Sequence, residues 1–270
     1  MILALVLSSL AASFATPREC MHIGPLYWEI GDQRGTIEYE IHGSAVHSES
    51  LLPADFASSW LFAAYVAQTR KLDQGDKDAL RMASGYSGMT RKACLFAKTV
   101  GECAQKAGSF DPLERGKPVY DQAPLQKWAA ANGLGKDTAA RLGKRVGDAL
   151  HIRLEMRAPQ PATGVFISAT AYALFLRKLL HGDLALSRLL AKDALGDVQG
   201  SRAPKSWRYS YGHFVEDDGT LSSPGNFGFY PWIAGKTYGI VARRSASRLA
   251  FVESLACGRA LREAYAKAHP

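Results

Sequence analysis

Polar and apolar residues alternate in two parts of the chain that lie near its two ends. The segments "YWEIGDQRG" (27–35) and "TIEYEI" (36–41) predict two short strands joined by a glycine-containing turn. Beyond about residue 205 the period of two returns in "SWRYSYGHFVED", "LSSPGNFGFYPWIA" and "TYGIVARR". With "DDGT" and "AGK" turns between them, these three segments predict a three-stranded antiparallel meander.

Helical spacing dominates the middle of the chain and its C-terminal end. The run "PADFASSWLFAAYV" (53–66) has Pro53 where it suits a first helical turn, and its nearly continuous apolar residues predict a helix buried on every side. Ser168 is a candidate N-cap for a helix ending near His181 and Gly182. The segment "SGYSGM" (84–89) is interpreted as a helical loop. The last helix, in residues 247–268, has a predicted buried stripe of Leu249, Val252, Leu255, Ala256, Leu261 and Tyr265.

The order of these elements indicates an α+β fold. Strands near both ends are separated by a helical block, so we expect an antiparallel sheet built from both termini, flanked by helices, with an inserted helical subdomain. The predicted sheet-containing part covers about residues 20–50 and 200–270, and the helical part covers about 51–199. Since 47% of the residues are hydrophobic and 21% are charged, the composition is that of a globular protein.

The first fifteen residues, "MILALVLSSLAASFA", are interpreted as a signal peptide. They form a short apolar stretch that ends in small residues suited to cleavage after Ala15, although no Lys or Arg precedes it. A retained N-terminal helix, facing lipid or buried, is the alternative. The prediction is an exported protein, periplasmic or secreted, with no transmembrane segment in its mature chain.

Four cysteines agree with an oxidising location: Cys20, Cys94, Cys103 and Cys257. Three pairings are open, and the spacing is compatible with a local Cys94–Cys103 disulfide that leaves Cys20 to meet Cys257. No paired CxxC or CxxH spacing favours a metal site, and no cofactor motif occurs. The net charge of +8 is dispersed rather than set in a basic stripe, so nucleic acid is not an expected partner.

Three stretches resemble those of the serine β-lactamase and penicillin-binding-protein superfamily, especially its class C β-lactamase and esterase-like branch. "FASSWLFAAYV" resembles the helix that carries the Ser-x-x-Lys motif, and "VYDQAPLQKWA" is similar to the Tyr-x-Asn or Tyr-x-Ser element. "YSYGHFVEDDGTLSSPGNFGFYPWI" resembles the strand pair that carries the Lys/His-x-Gly motif. The resemblance implies a β-lactamase/transpeptidase-like domain over residues 16–270.

The chemistry that this resemblance implies depends on a serine nucleophile and a lysine one helical turn later, together on one helix face. Aligning Trp60 with the residue after the motif lysine places Phe56 at the nucleophile position and Ser59 at the lysine position. Tyr120 matches the motif tyrosine, whereas Gln122 stands where Asn or Ser is expected.

The third motif is matched in part. Ser223-Pro224-Gly225 replaces Lys/His-x-Gly, so the glycine is kept and the cationic residue is not. The backbone N–H of Asn226 is a candidate oxyanion donor, because the family uses a strand amide close to this place. We expect Phe56, Ser59, Tyr120 and Ser223 to converge on a cleft whose catalytic hydroxyl and amine are missing.

Other candidates fit less well. Ser58 and Ser59 remain possible nucleophiles, but Leu61 and Phe62 occupy the positions three residues later, and no Ser-x-x-Lys occurs anywhere in the chain. Asp121 and Gln122 either contact a ligand or cap the helix beginning near Pro124. His213 is expected to pack in the interior or to pair with Glu216 or Asp217.

The sequence therefore predicts a non-acylating pseudoenzyme whose cleft binds a small carbonyl compound, a cell-wall-derived peptide or a protein partner. One alternative is an active serine hydrolase that uses Ser58 or Ser59 with Tyr120 as the base. A second alternative is a protein-interaction or inhibitory module on the same fold.

Overall fold

The computed structural model describes residues 14–90, 92–247 and 249–269, so most of the predicted leader lies outside the described residues. The strands described there are β1 (Leu26–Asp32), β2 (Thr36–His42), β3 (Leu52–Pro53), β4 (Ser84–Ser87), β5 (Ser109–Arg115), β6 (Glu155–Met156), β7 (Val165–Ile167), β8 (Arg208–Tyr209), β9 (Phe214–Val215), β10 (Leu221–Ser222), β11 (Tyr230–Ala234) and β12 (Thr237–Ala242). The α-helices are α1 (Arg18–Met21), α2 (Ser58–Thr69), α3 (Gln74–Leu80), α4 (Val100–Gln105), α5 (Ala123–Ala129), α6 (Ala139–Leu150), α7 (Ala169–His181) and α8 (Ala250–Ala268). Single turns of other helical types span Asp55–Ala57, Ala130–Leu134 and Ala185–Leu189.

The largest sheet joins the two ends of the chain, as the alternation of polar and apolar residues predicts. Its strand order is β2-β1-β12-β11-β10-β9-β8, and its pairs are antiparallel. The join between the N-terminal hairpin and the C-terminal strands is the β1–β12 pair, in which Trp28 lies opposite Val241. The expectation of an antiparallel sheet built from both termini and flanked by helices is therefore confirmed.

The C-terminal part of the sheet differs in detail from the predicted three-stranded meander, because it consists of five short strands. The first predicted strand is interrupted at Gly212, which has φ +77° and lies so close to α2 that a Cβ there would be 2.3 Å from the carbonyl oxygen of Ser59. The second is interrupted between Ser222 and Tyr230 by an irregular loop. A pattern of period two does not reveal where tertiary contacts break a strand.

Helices cover both faces of this sheet. Helix α8 packs on one face against β11 and β12, while α7 packs on the other against β1, β11 and β12. Helix α2 has ten consecutive buried residues, from Ser58 to Ala67, and so is surrounded as predicted. Ser168 caps α7 by accepting from the N–H of Ala171, and Gly182 ends the helix in the left-handed conformation.

Three local predictions are wrong. Pro53 lies in β3 opposite Phe166, where an edge strand tolerates its missing N–H, and α2 begins only at Ser58. The "SGYSGM" segment forms β4, paired with β5, instead of a helical loop. Leu249 and Val252, which the helical spacing predicts to be buried, are 60% and 51% exposed. Helix α8 packs on the sheet through a different face, the one that bears Gly258. The contact there is so close that a Cβ on Gly258 would lie 2.4 Å from the ring of Tyr230.

Two disulfides are present, Cys20–Cys257 and Cys94–Cys103. The Cys20–Cys257 disulfide joins α1 to α8. It therefore holds the segment before β1 against α8, which packs on the sheet. The second closes a nine-residue separation next to α4. Both agree with the pairing that the spacing of the cysteines allows.

No helix within the described ranges combines the length and the apolar character needed to cross a bilayer.

His213 lies in the interior between α2 and the sheet, stacked on Trp60 with ring centroids 4.9 Å apart. Its Nδ1 is 3.0 Å from the carbonyl oxygen of Tyr211, and its Nε2 accepts from the N–H of Ala191. Of the two alternatives expected for His213, the structure shows packing in the interior and not pairing with an acidic residue, since Arg259 and Arg262 hold the Glu216 carboxylate. Burial lowers the pKa of His213 from 6.5 to about 4.

The depressed pKa of His213 predicts a loss of stability in acid. The unfolded chain takes up this proton first, so the stabilising contribution is complete above about pH 6.5 and disappears as the pH falls toward about 4. Its size is about 3 kcal/mol. In urea unfolding at pH 7 and pH 4.5, His213→Gln should lose much less stability on acidification than the wild type. Exposed His22→Gln is the control and should keep the wild-type pH dependence; an unchanged dependence in His213→Gln would contradict the assignment.

Candidate functional site

The turn Asp55–Ala57, directly before α2, carries the aromatic side chain at the centre of the predicted cleft. Phe56 stacks on Tyr120, with ring centroids 4.2 Å apart and an angle of 24° between the planes. Its side chain is only 9% exposed. The two rings pack directly against each other, so no room for a substrate is left between them.

Tyr120 precedes α5, and its backbone N–H donates to the carbonyl oxygen of Gln199. Its ring also meets those of Tyr209 and Phe214, and its hydroxyl donates to the carbonyl oxygen of Pro224 at 3.4 Å. Burial raises the pKa of Tyr120 well above its ordinary value, and neighbouring acidic groups, including Asp55, raise it further. A phenol that holds its proton so strongly is poorly suited to act as a general base.

The loop between β10 and β11 forms the opposite side of this site. Ser223 lies 3.3 Å from the carbonyl oxygen of Phe56 and 3.1 Å from that of Gly212, and its hydroxyl has donor geometry toward both. At Gly225 a Cβ would lie 2.3 Å from the carbonyl oxygen of Ala54, so only glycine allows this close approach of the loop to the turn before α2.

Asp55 connects the two sides, although it is not among the site residues expected from the sequence. Its Oδ2 accepts from the backbone N–H of Asn226 and from the side-chain Nδ2 of the same residue, each at 2.7 Å. Asp55 has φ +48°, a left-handed conformation that Asp and Asn adopt more readily than most residues. This preference of Asp for a left-handed backbone is the only feature of the sequence that could have pointed to Asp55. Nothing in "PADF" indicates a hydrogen-bond partner 171 residues away.

Ser58 and Ser59, the alternative nucleophiles, are both fully buried and engaged with backbone groups. The Ser58 hydroxyl accepts from the N–H of Val165 at 3.3 Å. The Ser59 hydroxyl donates to the carbonyl oxygen of Ala162 at 3.4 Å and lies beside the Tyr209 hydroxyl. Neither side chain reaches the surface of the protein.

The two residues after Tyr120 serve the local structure. Asp121 caps the start of α5 by accepting from the N–H of Ala123 at 2.7 Å, and the same carboxylate accepts from the N–H groups of Gly88 and Met89. The side chain of Gln122 accepts from the hydroxyl of Thr163 at 3.0 Å. Phe56, Tyr120, Ser223, Gly225 and Asn226 therefore lie close together, whereas the Ser58 and Ser59 hydroxyls and the Gln122 amide oxygen contact residues of the 162–165 segment.

Four cavities bounded by described residues have volumes between about 380 and 620 Å³, and neither Phe56 nor Tyr120 lines any of these four. The largest of them is lined by the aromatic side chains of Tyr86, Phe110 and Trp128. The contacts at Phe56 are thus those of a packed interior that joins the turn before α2 to the sheet.

No family model matches this chain, and no curated protein matches its sequence. Solved structures do resemble it over most of its length. EstCE1, a hydrolase with promiscuous acyltransferase activity, is 13% identical with a TM-score of 0.68, and the match covers 86% of this chain and 93% of that one. A β-lactamase from Mycobacterium bovis is 13% identical with a TM-score of 0.64, over 91% of this chain and 97% of that one. A class C β-lactamase from Rhodobacter sphaeroides is 14% identical with a TM-score of 0.61, again over 91% and 97%.

The chain has the β-lactamase/transpeptidase-like fold. The resemblance noted in its sequence is confirmed at this level, and the similarity spans both the sheet and the helical block. At these identities the β-lactamase-like structures establish the architecture, and the roles of individual residues rest on the geometry of this chain.

The Asp55–Asn226 contact in this β-lactamase-like protein predicts a large loss of stability when the carboxylate is removed. Asp55→Ala should lower the free energy of unfolding by about 2–3 kcal/mol, because hydrogen bonds to charged groups contribute this much and the Asn226 N–H would be left without its acceptor. Urea denaturation measures the change.

A matched control is Asp197→Ala, which removes an exposed aspartate whose φ is also left-handed, at 53°. It should cost about 1 kcal/mol or less, since only the backbone preference changes. Equal losses in the two variants would mean that the bonds to Asn226 contribute nothing beyond backbone strain.

Proposed function

We propose that this chain is an exported β-lactamase-like protein that forms no acyl-enzyme and acts by binding. The observation that carries the proposal is the stack of Phe56 on Tyr120. In the motif frame set by Trp60, the Phe56 ring takes the place from which a serine hydroxyl would attack. A phenyl ring supplies neither a nucleophile nor a proton acceptor.

The remaining serines near this place are poorly placed for nucleophilic attack. Ser58 and Ser59 are inaccessible, and their hydroxyls already bond to the backbone at Val165 and Ala162. A serine needs an adjacent base to become reactive, and no Ser-x-x-Lys is present in the chain. Tyr120 holds its proton because its phenol is buried and neighbours Asp55, so it supplies no replacement for the lysine.

The Asn226 amide, the candidate oxyanion donor, is also occupied. It already donates to the carboxylate of Asp55 at 2.7 Å. An oxyanion hole works when its donors are preorganised and open to charge that develops on the substrate. Here the side chain of Asp55 accepts that hydrogen bond, so the oxygen of a tetrahedral intermediate would have to displace it.

Export is supported by the leader-like residues 1–15 and by the two disulfides, which persist in oxidising compartments. The candidate ligands are small carbonyl compounds or cell-wall-derived peptides, the chemistry to which the resemblance points. Because the Phe56 and Tyr120 rings fill the centre of the cleft, such a ligand would bind there only when the Phe56 side chain rotates away.

Covalent labelling tests the absence of acyl-enzyme chemistry. Purified protein is incubated with a fluorescent penicillin or a fluorophosphonate and its intact mass is measured, with an active class C β-lactamase as the positive control. We expect no mass increase in this chain and stoichiometric labelling of the control. The same spectrum reports whether residues 1–15 have been removed. An adduct that Ser58→Ala or Ser59→Ala abolishes would overturn the proposal in favour of an active hydrolase.

A second candidate function is that of a protein-interaction module, and exposed apolar side chains favour it. Leu95 and Phe96, in the loop closed by Cys94–Cys103, are 67% and 85% exposed, and Leu113 on β5 is 78% exposed. Leu95 and Phe96 are adjacent in one loop, and neighbouring large apolar side chains exposed to water are typical of surfaces that bind other proteins.

The double variant Phe96→Ser/Leu113→Ser tests this surface in a pull-down from periplasmic extract. The wild type should recover a stoichiometric partner and the double variant should lose it by about tenfold or more, as expected when anchor side chains are removed. Leu249→Ser, which changes an exposed leucine at the N-cap of α8, is the control and should keep the partner. Equal recovery by all three proteins would contradict the interaction module.

A further inference from the structure

A buried carboxylate on β1, the second strand from one edge of the large sheet, has no role in the cleft described above. Glu29 on β1 is 2% exposed. Its Oε2 accepts from the hydroxyl of Tyr27, and Tyr238 also lies near the carboxyl. Its Oε1 is buried and makes no hydrogen bond to any described residue. Buried carboxylate oxygens normally accept a hydrogen bond, so an oxygen without one can indicate an absent ligand that donates to it.

The missing partner has a place to bind, because Glu29 lines a cavity of about 380 Å³ between β1, β2 and α7. A cavity of this size is within the usual range for small-molecule sites. Its walls include Tyr39 and Ile41, which are 65% and 48% exposed, and Ala173 of α7. The cavity thus joins a buried anionic group to an apolar wall that is open to solvent.

A positive charge lines the same cavity. Arg177 of α7 is close enough to Glu29 to favour its charged form, yet within the described residues its guanidinium makes no hydrogen bond or ion pair. Arginine presents a planar set of donors that fits a carboxylate. The cavity therefore offers an acceptor for a cation at Glu29 and a donor set for an anion at Arg177.

We propose that this cavity binds a free α-amino acid with an apolar side chain. Its ammonium donates to Oε1 of Glu29, its carboxylate accepts from the guanidinium of Arg177, and its side chain lies against Tyr39 and Ile41. In an α-amino acid the two charges are separated by one carbon atom, so a single small molecule bridges two protein charges that are near each other but do not touch. This site is separate from the Phe56–Tyr120 cleft and does not depend on the proposed function.

Burial and the neighbouring groups act in opposite ways on the pKa of the Glu29 carboxyl. Burial raises the pKa of Glu29, while the hydroxyl groups of Tyr27 and Tyr238 and the charge of Arg177 lower it. An ammonium placed at Oε1 would also favour the ionised form. The bound amino acid thus supplies the neighbour that this carboxylate lacks.

Titration calorimetry of the purified mature protein with L-leucine and L-phenylalanine tests the proposal. Two leucine derivatives separate the charges, since N-acetyl-L-leucine lacks the ammonium and L-leucinamide lacks the carboxylate. We expect L-leucine to bind and each derivative to bind about tenfold more weakly or worse, as the loss of one charged hydrogen bond predicts. No heat of binding from either amino acid, or equal binding of leucine and leucinamide, would overturn the assignment.

Variants locate the site. Glu29→Gln and Arg177→Met should each weaken leucine binding by about tenfold or more, as expected for charged contacts. Arg177→Met should leave leucinamide binding unchanged, a selectivity that a general loss of structure does not produce. Glu38→Gln changes a carboxylate on β2 whose position opposite Ile30 puts it on the other face of the sheet, so it should bind leucine as the wild type does.

Thermal unfolding of each variant verifies its fold. If Glu29→Gln does not fold, Arg177→Met and the two leucine derivatives decide the question. The proposal would be contradicted if Arg177→Met did not change leucine binding, or if Glu38→Gln weakened it equally. Either result would mean that the ligand binds elsewhere.

Discussion

The contact between the carboxylate of Asp55 and the two N–H groups of Asn226 is the constraint on which the site depends. It holds the turn before α2 against the loop between β10 and β11, and the missing Cβ of Gly225 lets the two backbones approach closely. Because an ionised acceptor makes stronger hydrogen bonds than a neutral one, this contact offsets the left-handed backbone of Asp55. With the turn fixed, the ring of Phe56 has to lie on Tyr120.

As a consequence, the region around Phe56 and Tyr120 is closely packed, whereas EstCE1, a protein of the same fold, is a hydrolase. A reactive site keeps its donors open and its nucleophile beside a base, which costs stability. In this chain Asn226 donates to Asp55, Tyr120 donates to Pro224 and Ser223 faces two carbonyl oxygens. These internal hydrogen bonds support the proposal that the protein acts by binding.

Two charged side chains without a full set of partners share a place elsewhere in the molecule. Glu29 keeps one buried oxygen without a hydrogen bond, and Arg177 has no ion pair within the described residues, although both face one cavity at the sheet edge. Most buried polar groups in native proteins are hydrogen-bonded. The unpaired oxygen of Glu29, in a residue that lines a cavity, therefore supports the proposed ligand site.

The sequence by itself determined the parts of this protein that depend on local periodicity and on single residue types. The β1–β2 hairpin, the fully buried α2, the capped α7 and the sheet built from both ends all follow from the spacing of apolar residues, from Ser168 and from Gly182. The absence of a Ser-x-x-Lys motif is likewise readable from the sequence alone. Tertiary structure decided where strands break, which face of α8 is buried and what Asp55 binds, because these depend on residues far apart in sequence that meet only after folding. Asp55 and Asn226 are 171 positions apart, and no local pattern of either segment encodes their encounter.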